Sequence, residues 1–173
     1  MKSLLVMICL ILTACAAPDV SHYKQEQPAL NLPQFFSGTT DAWGTFQKRN
    51  GEVVKRFHVL LTGTQMEDRF VLDEVFSYSD GTTQRRVWTL RQQKNGQWRG
   101  TADDIKGEAL GTIAGNALNW QYTMLLPVDG TVYEVQFDDW MFLIDGNTMI
   151  NRAAMSKFGF QLGEVTLFFR KRS

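Results

Sequence analysis

The stretch Phe137-Asp138-Asp139-Trp140-Met141 sets two carboxyl groups side by side, and paired carboxyls are the raw material of acid–base and metal chemistry. On a strand, however, adjacent side chains point to opposite faces, so this pair does not converge unless a bulge re-aims one of them. Glu74 and Asp139 would make a glycosidase-like pair across a barrel, although nothing in the sequence sets their separation. The chain has two histidines, His22 and His58. His58 alternates with the apolar residues Phe57, Val59 and Leu61 and is predicted to face outward. Two dispersed histidines exclude a His-rich metal centre and argue against a haem barrel with a proximal histidine. No G-x-S-x-G, phosphate loop or C-x-x-C occurs. The sequence therefore assigns no catalytic residue, no metal and no cofactor.

More informative are charges that interrupt apolar faces. With a two-residue period, Phe70, Leu72, Glu74, Phe76 and Tyr78 share one face, and Glu74 breaks it. Leu118, Trp120, Tyr122, Met124 and Leu126 share another. Tyr133, Val135, Phe137, Asp139, Met141 and Leu143 form a third, broken by Asp139. Arg86 has the parity of Trp88 and Leu90, and Arg152 that of Ile150 and Ala154. Buried charges cost several kcal/mol unless paired, so these groups must meet each other or a ligand's polar head. Glu74, Arg86, Trp120, Tyr122, Asp139 and Arg152 are the candidate ligand-binding residues. One reading has Arg152, with Arg86, facing a carboxylate or phosphate at the bottom of an apolar cavity. The other has Arg152 in an internal ion pair with Asp139 or Glu74 that binds nothing.

The elements that position these residues are strands. From Phe35 onward the sequence alternates in twos between tight-turn pairs: Asn50-Gly51, Asp80-Gly81, Asn95-Gly96, Gly115-Asn116, Asp129-Gly130 and Asp145-Gly146. About ten strands follow, near 40–49, 52–62, 67–78, 83–94, 97–103, 107–115, 117–126, 131–144, 147–154 and 163–171. Weaker breaks fall at Gly63-Thr64 and Asp103-Asp104. Phe35–Gly38 and Lys157–Leu162 have room for a short helical turn. The alternation predicts an all-β fold, an antiparallel up-and-down meander. A meander of this length closes or curls to hide its edges, which points to a lipocalin-like barrel, with a bent half-open sheet as the alternative. The small residues Gly107, Ala109, Gly111 and Gly115 share a face with Ile113, for close backbone packing or for ligand space.

The first fourteen residues read as a targeting segment. Lys2 precedes the apolar run Leu4–Leu12, which is far short of the roughly 20 residues needed to span a bilayer. Leu12-Thr13-Ala14-Cys15 resembles the lipobox of bacterial lipoproteins, in which the cysteine is lipidated and becomes the new N-terminus. That resemblance implies a lipid anchor on Cys15, and Ala16 in the following position favours the outer membrane, periplasmic face. Cys9, the other of the two cysteines, leaves with the leader, so no disulfide is expected. Residues 15–34 hold three of the four prolines and no hydrophobic period, and are predicted to be a tether to a single barrel domain over 35–173. Eighteen basic residues balance eighteen acidic ones, and Lys2 is lost with the leader, so nothing points to nucleic acid. Arg170-Lys171-Arg172 reads as a solvated end or a contact to anionic headgroups.

Four pieces together carry a family resemblance: Gly-Asn-Ala-Leu-Asn-Trp-Gln-Tyr (115–122), Phe-Asp-Asp-Trp-Met (137–141), Asn-Arg-Ala-Ala-Met-Ser-Lys-Phe-Gly (151–159) and Gly-Glu-Val-Thr-Leu-Phe-Phe (163–169). They resemble a family of proteobacterial lipoproteins classed as a domain of unknown function. The resemblance implies a membrane-anchored envelope protein and brings no activity, substrate or catalytic residue. Similarity to lipocalin and fatty-acid-binding barrels is architectural. Three roles are therefore open: a barrel holding a lipid or small amphiphile, an envelope interaction protein with a filled core, or a carboxylate hydrolase.

Overall fold

The computed structural model describes residues 18–172. The leader, the lipobox and Cys15 lie outside the described residues.

The described residues form ten strands: β1 Gly38–Lys48, β2 Val53–Gln65, β3 Phe70–Tyr78, β4 Thr83–Gln92, β5 Trp98–Thr101, β6 Ala109–Ala114, β7 Ala117–Val128, β8 Thr131–Asp145, β9 Thr148–Lys157 and β10 Phe160–Lys171. Each is antiparallel to its neighbours in sequence, and β1 pairs with β10 to close the barrel. This is the expected meander, closed rather than half-open, with no free edge. Asp129 and Gly130 take the positive φ values of a two-residue hairpin turn, as an Asp-Gly pair should.

Lys157–Leu162 is not a helical turn. Phe158 and Gly159 both have positive φ and turn β9 directly into β10. A phenylalanine in that conformation is rare, so the turn carries no sequence signature.

The stretch read as a tether is folded onto the barrel over most of its length. Asp19 caps a 3-10 turn, Val20–Tyr23, by accepting from the Ser21 amide at 2.8 Å. Tyr23 packs edge-on against Phe142 and Trp140 on the outer wall, at 5.0 and 6.0 Å between centroids. The Leu30 amide donates to the Gly115 carbonyl at 2.8 Å. A short helix, α1 Leu32–Phe36, follows; Asn31 caps it, and Pro33 sits in its first turn, where no amide is required. Leu30, Leu32, Phe35 and Phe36 are all buried in the core. The folded domain thus begins near Val20, well before residue 35. Period-based reading misses it because a helix of five residues is too short to display a stripe.

Helix α1 is the floor of the barrel. Phe36 meets Phe169 edge-on at 5.8 Å, and a Cβ on Gly63 would collide with the Phe36 carbonyl. Gly100 and Gly111 serve a similar purpose in the wall: both face the indole of Trp120 so closely that neither has room for a side chain. The small residues of β6 are therefore explained by close packing rather than by ligand space. At the C-terminus Arg170 donates to Thr148, Lys171 to the Gln34 carbonyl, and Arg172 to Asp41.

A polar belt inside the barrel

A cavity of about 870 Å³ occupies the barrel. Leu32 and Phe36 cover it at the α1 end. Toward the opposite end it is lined by Lys55, Tyr78, Thr82, Pro127 and Val132, beside the hairpin turns, and there it opens. One side of this mouth is apolar: Phe158 at the β9–β10 turn is 85% exposed, and Phe160, Val128 and Val132 are exposed with it, while Lys55, Thr82 and Asp103 make the other side polar.

Glu74, Arg86, Trp120, Tyr122 and Asp139 all line the cavity, as their parity predicts. Register brings them together. Glu74 lies opposite Arg86 across β3 and β4, and Trp120 lies opposite Asp139 across β7 and β8. Arg86 approaches Glu74 at 3.7 Å, a distance for an ion pair but not for a hydrogen bond. Its Nε and Nη2 are committed elsewhere, to both oxygens of Asp104 at 2.7 to 3.0 Å. Burial opposes the Arg86 charge, but the bonds to Asp104 and the nearby Glu74 outweigh it and hold the guanidinium above its usual range.

The aromatic wall surrounds this belt. Trp88 stands edge-on to Trp120 and Tyr122 at 5.6 and 5.5 Å, and Tyr122 stacks on Phe137 at 4.9 Å. Asp139 is 6% exposed. Tyr122 Oη lies 3.5 Å from Asp139 Oδ2, and Asp139 Oδ1 is buried without a partner. Burial pushes the Asp139 carboxyl up to about 8, with Arg86 opposing the rise, and pushes Glu74 up to about 7 for the same reason. Tyr122 is likewise raised by burial and stays protonated.

Arg152 is the misplaced candidate. Its side chain is 68% exposed, on the outer wall, and bonds Glu164 through Nε at 3.0 Å. The cause is a register shift between Leu143 and Asp145 that resets parity as the chain crosses from β8 to β9. Met149, Asn151, Ala153 and Met155 face inward instead. Ala153 lies opposite Asp139, so no arginine approaches that carboxyl from β9. Neither the anion-binding role for Arg152 nor its internal ion pair exists; the interior pair is Arg86 with Asp104 and Glu74.

Asp104, Trp88 and Asn151 also belong to the belt and were not among the candidates. Asp104, in the β5–β6 connection, reads in sequence only as a loop break. Trp88 shares the parity of Arg86 but stands in a mixed polar strand. Asn151 lies on the face that the register shift exchanged; its Oδ1 is buried without a partner. Asp138 and Asp139 diverge as expected, since Asp138 is bonded to Asn119 and Gln121. His58 lies 2.8 Å from Asp41, away from the cavity. Among the described residues, no three His, Cys, Asp or Glu side chains are grouped to hold a metal ion.

In fold, the chain is similar to the S-type phycobiliprotein lyase CPES from Guillardia theta, with a TM-score of 0.58 and 8% identity over 90% of this chain and 99% of that chain. It is also similar to a protein of unknown function from the DUF3598 family of Nostoc punctiforme, with a TM-score of 0.52 and 13% identity over 86% of this chain. That alignment takes in 51% of the Nostoc chain, so this protein spans about half its length. At such identities the likeness is one of fold alone. No curated protein matches in sequence. Residues 9–171 match the family described as protein of unknown function DUF3833, and the chain belongs to that family.

Proposed function

We propose that this protein is a lipid-anchored lipoprotein of the bacterial outer membrane, on its periplasmic face, whose barrel binds a small amphiphile. The observation that carries the binding role is the cavity itself. Its roughly 870 Å³ is within the range of small-molecule sites, its walls are mostly aliphatic and aromatic, and one polar belt crosses it. A filled-core interaction protein does not leave such a space. The upper half, with Phe46, Phe57, Phe76 and Val165, suits an apolar tail, and the belt below suits a polar head.

The anchor rests on Leu12-Thr13-Ala14-Cys15. From Cys15 to Val20 the chain reaches at most about 17 Å, since an extended residue spans roughly 3.5 Å. Val20–Tyr23 packs low on the barrel, beside Phe142 and Gly115. From Trp140 up β8 to Val132 at the mouth is about 27 Å of strand. An anchor at Cys15 therefore directs the α1 end toward its bilayer and the mouth away from it, so that ligand enters from the periplasm. Two or more acyl chains make such anchoring stable.

Native mass spectrometry of the Cys15→Ser protein, stripped of lipid and re-exposed to membrane extract, tests the binding role. Retention of an amphiphile that a fluorescent fatty-chain probe displaces supports it. The absence of any retained species and of any displaceable probe binding would falsify it. For the anchor, carbonate washing should release Cys15→Ser but not the parent; a variant that stays in the membrane refutes lipidation at this residue.

A further inference from the structure

Resting on the amphiphile reading, we propose that the belt receives a cation. The cavity takes an amphiphile with an organic ammonium head, held by the carboxyl groups of Glu74 and Asp139 against the rings of Trp88, Trp120 and Tyr122.

Charge and geometry exclude an anionic head. Among the described residues Arg86 is the one guanidinium lining the cavity, and Asp104 takes its Nε and Nη2. A phosphate or carboxylate arriving there would have to displace Asp104 and then sit beside Glu74 and Asp139. Three carboxyl groups surround that single arginine, which leaves two of them uncompensated. Unmet acceptors tell the same story. Asp139 Oδ1 and Asn151 Oδ1, on adjacent strands and on the inner face, are buried with no donor. Such atoms call for a hydrogen-bond donor or a positive charge. Aromatic faces supply the rest, since Trp and Tyr rings attract ammonium groups. The rings of Trp88, Trp120 and Tyr122 form one edge-to-face group at the level of Asp139.

Glu74 and Asp139 hold protons in the belt, which offsets its excess of carboxyl groups. An arriving ammonium replaces these protons, so binding releases a proton and strengthens as pH rises. The other ionisable groups facing the belt are Arg86, Asp104 and Tyr122. Nearer the mouth are Asp103, Tyr78 and Lys55, the last held by Asp80 at 2.9 Å.

The test uses tryptophan fluorescence of the Cys15→Ser chain with decyltrimethylammonium, decyl sulfate and decyl maltoside, each below its micellar range. The ammonium probe should bind at least about tenfold more tightly than the other two. Because its own charge does not titrate, its affinity should rise roughly tenfold or more from pH 6 to pH 9. Asp139→Asn and Glu74→Gln should each remove most of that preference while keeping decyl maltoside binding; Glu164→Gln, on the outer wall, should change nothing. Equal or tighter binding of decyl sulfate, or a pH-independent ammonium affinity, overturns the inference and leaves the amphiphile reading standing. If no decyl probe binds, both fall. The wild-type comparison and its pH series decide the matter even if a variant fails to fold. A choline-headed lysophospholipid that outcompetes decyltrimethylammonium identifies a lipid headgroup as the source, and the reverse order identifies a free alkylammonium.

Discussion

Arg86 and Asp104 are joined by two guanidinium nitrogens, Nη2 at 2.7 Å and Nε at 3.0 Å, with one partner on a barrel strand and the other on a connecting loop. The bridge ties the β5–β6 connection to β4 at the cavity wall and removes the only cavity-lining arginine among the described residues from ligand chemistry. Asp104→Asn should therefore do two things. Losing the charge partner of a buried guanidinium should cost about 3 kcal/mol, moderated by the remaining Glu74, as read from urea unfolding. It should also uncover Arg86, so that decyl sulfate binds more tightly than to the parent. Unchanged stability together with unchanged sulfate affinity would show that Arg86 finds its compensation elsewhere.

Asp139 makes stability depend on pH in a direction opposite to that of an ordinary paired carboxylate. Its folded pKa of about 8 lies above the unfolded value of 3.8, so the folded state holds its proton more tightly. That contribution is complete below about pH 4 and is lost as pH rises toward 8. Glu74 adds the same trend up to about 7. In Asp139→Asn, unfolding free energy should fall less between pH 5 and pH 9 than in the parent, by a few kcal/mol at order of magnitude. Parallel curves for the two proteins would mean that Asp139 titrates normally.

How far the belt was legible depends on how each strand displays its parity. In β7, Leu118, Trp120, Tyr122 and Met124 alternate with Asn119, Gln121 and Thr123, and the first four all line the cavity. Glu74 and Asp139 stand within equally clear patterns, and both line the cavity. In β9, by contrast, apolar residues occupy both parities (Met149 beside Ile150, Ala153 beside Ala154), and the deciding register shift after Leu143 has no local marker. Arg152 was misplaced for that reason. Asp104 was illegible for another: a loop residue has no periodicity, and its role exists only through contact with Arg86, 18 positions away.

Arg152 provides a contrast with Arg86. It is one of a solvated pair with Glu164, and exposed pairs of this kind contribute about 0–1 kcal/mol. Arg152→Ala should therefore change the unfolding free energy by less than about 1 kcal/mol, and less still at high salt. Its affinity for every decyl probe should equal the parent's. A change in probe binding would place Arg152 on the ligand's path after all.

Phe36 tests whether α1 is a structural floor or a dispensable extension. Its ring is buried, meets Phe35 at 4.9 Å and Phe169 at 5.8 Å, and lines the bottom of the cavity. Truncating a buried phenylalanine costs about 3–5 kcal/mol through lost transfer energy and residual void. Here the void would merge with the existing cavity below the belt, where water can enter, so Phe36→Ala should fall near the lower end of that range. Because the tail lies above the belt, toward the mouth, the preference between decyl and dodecyl chains should match the parent's. A gained preference for the dodecyl chain would place the tail below the belt instead. No loss of stability would show that α1 packs independently of the barrel.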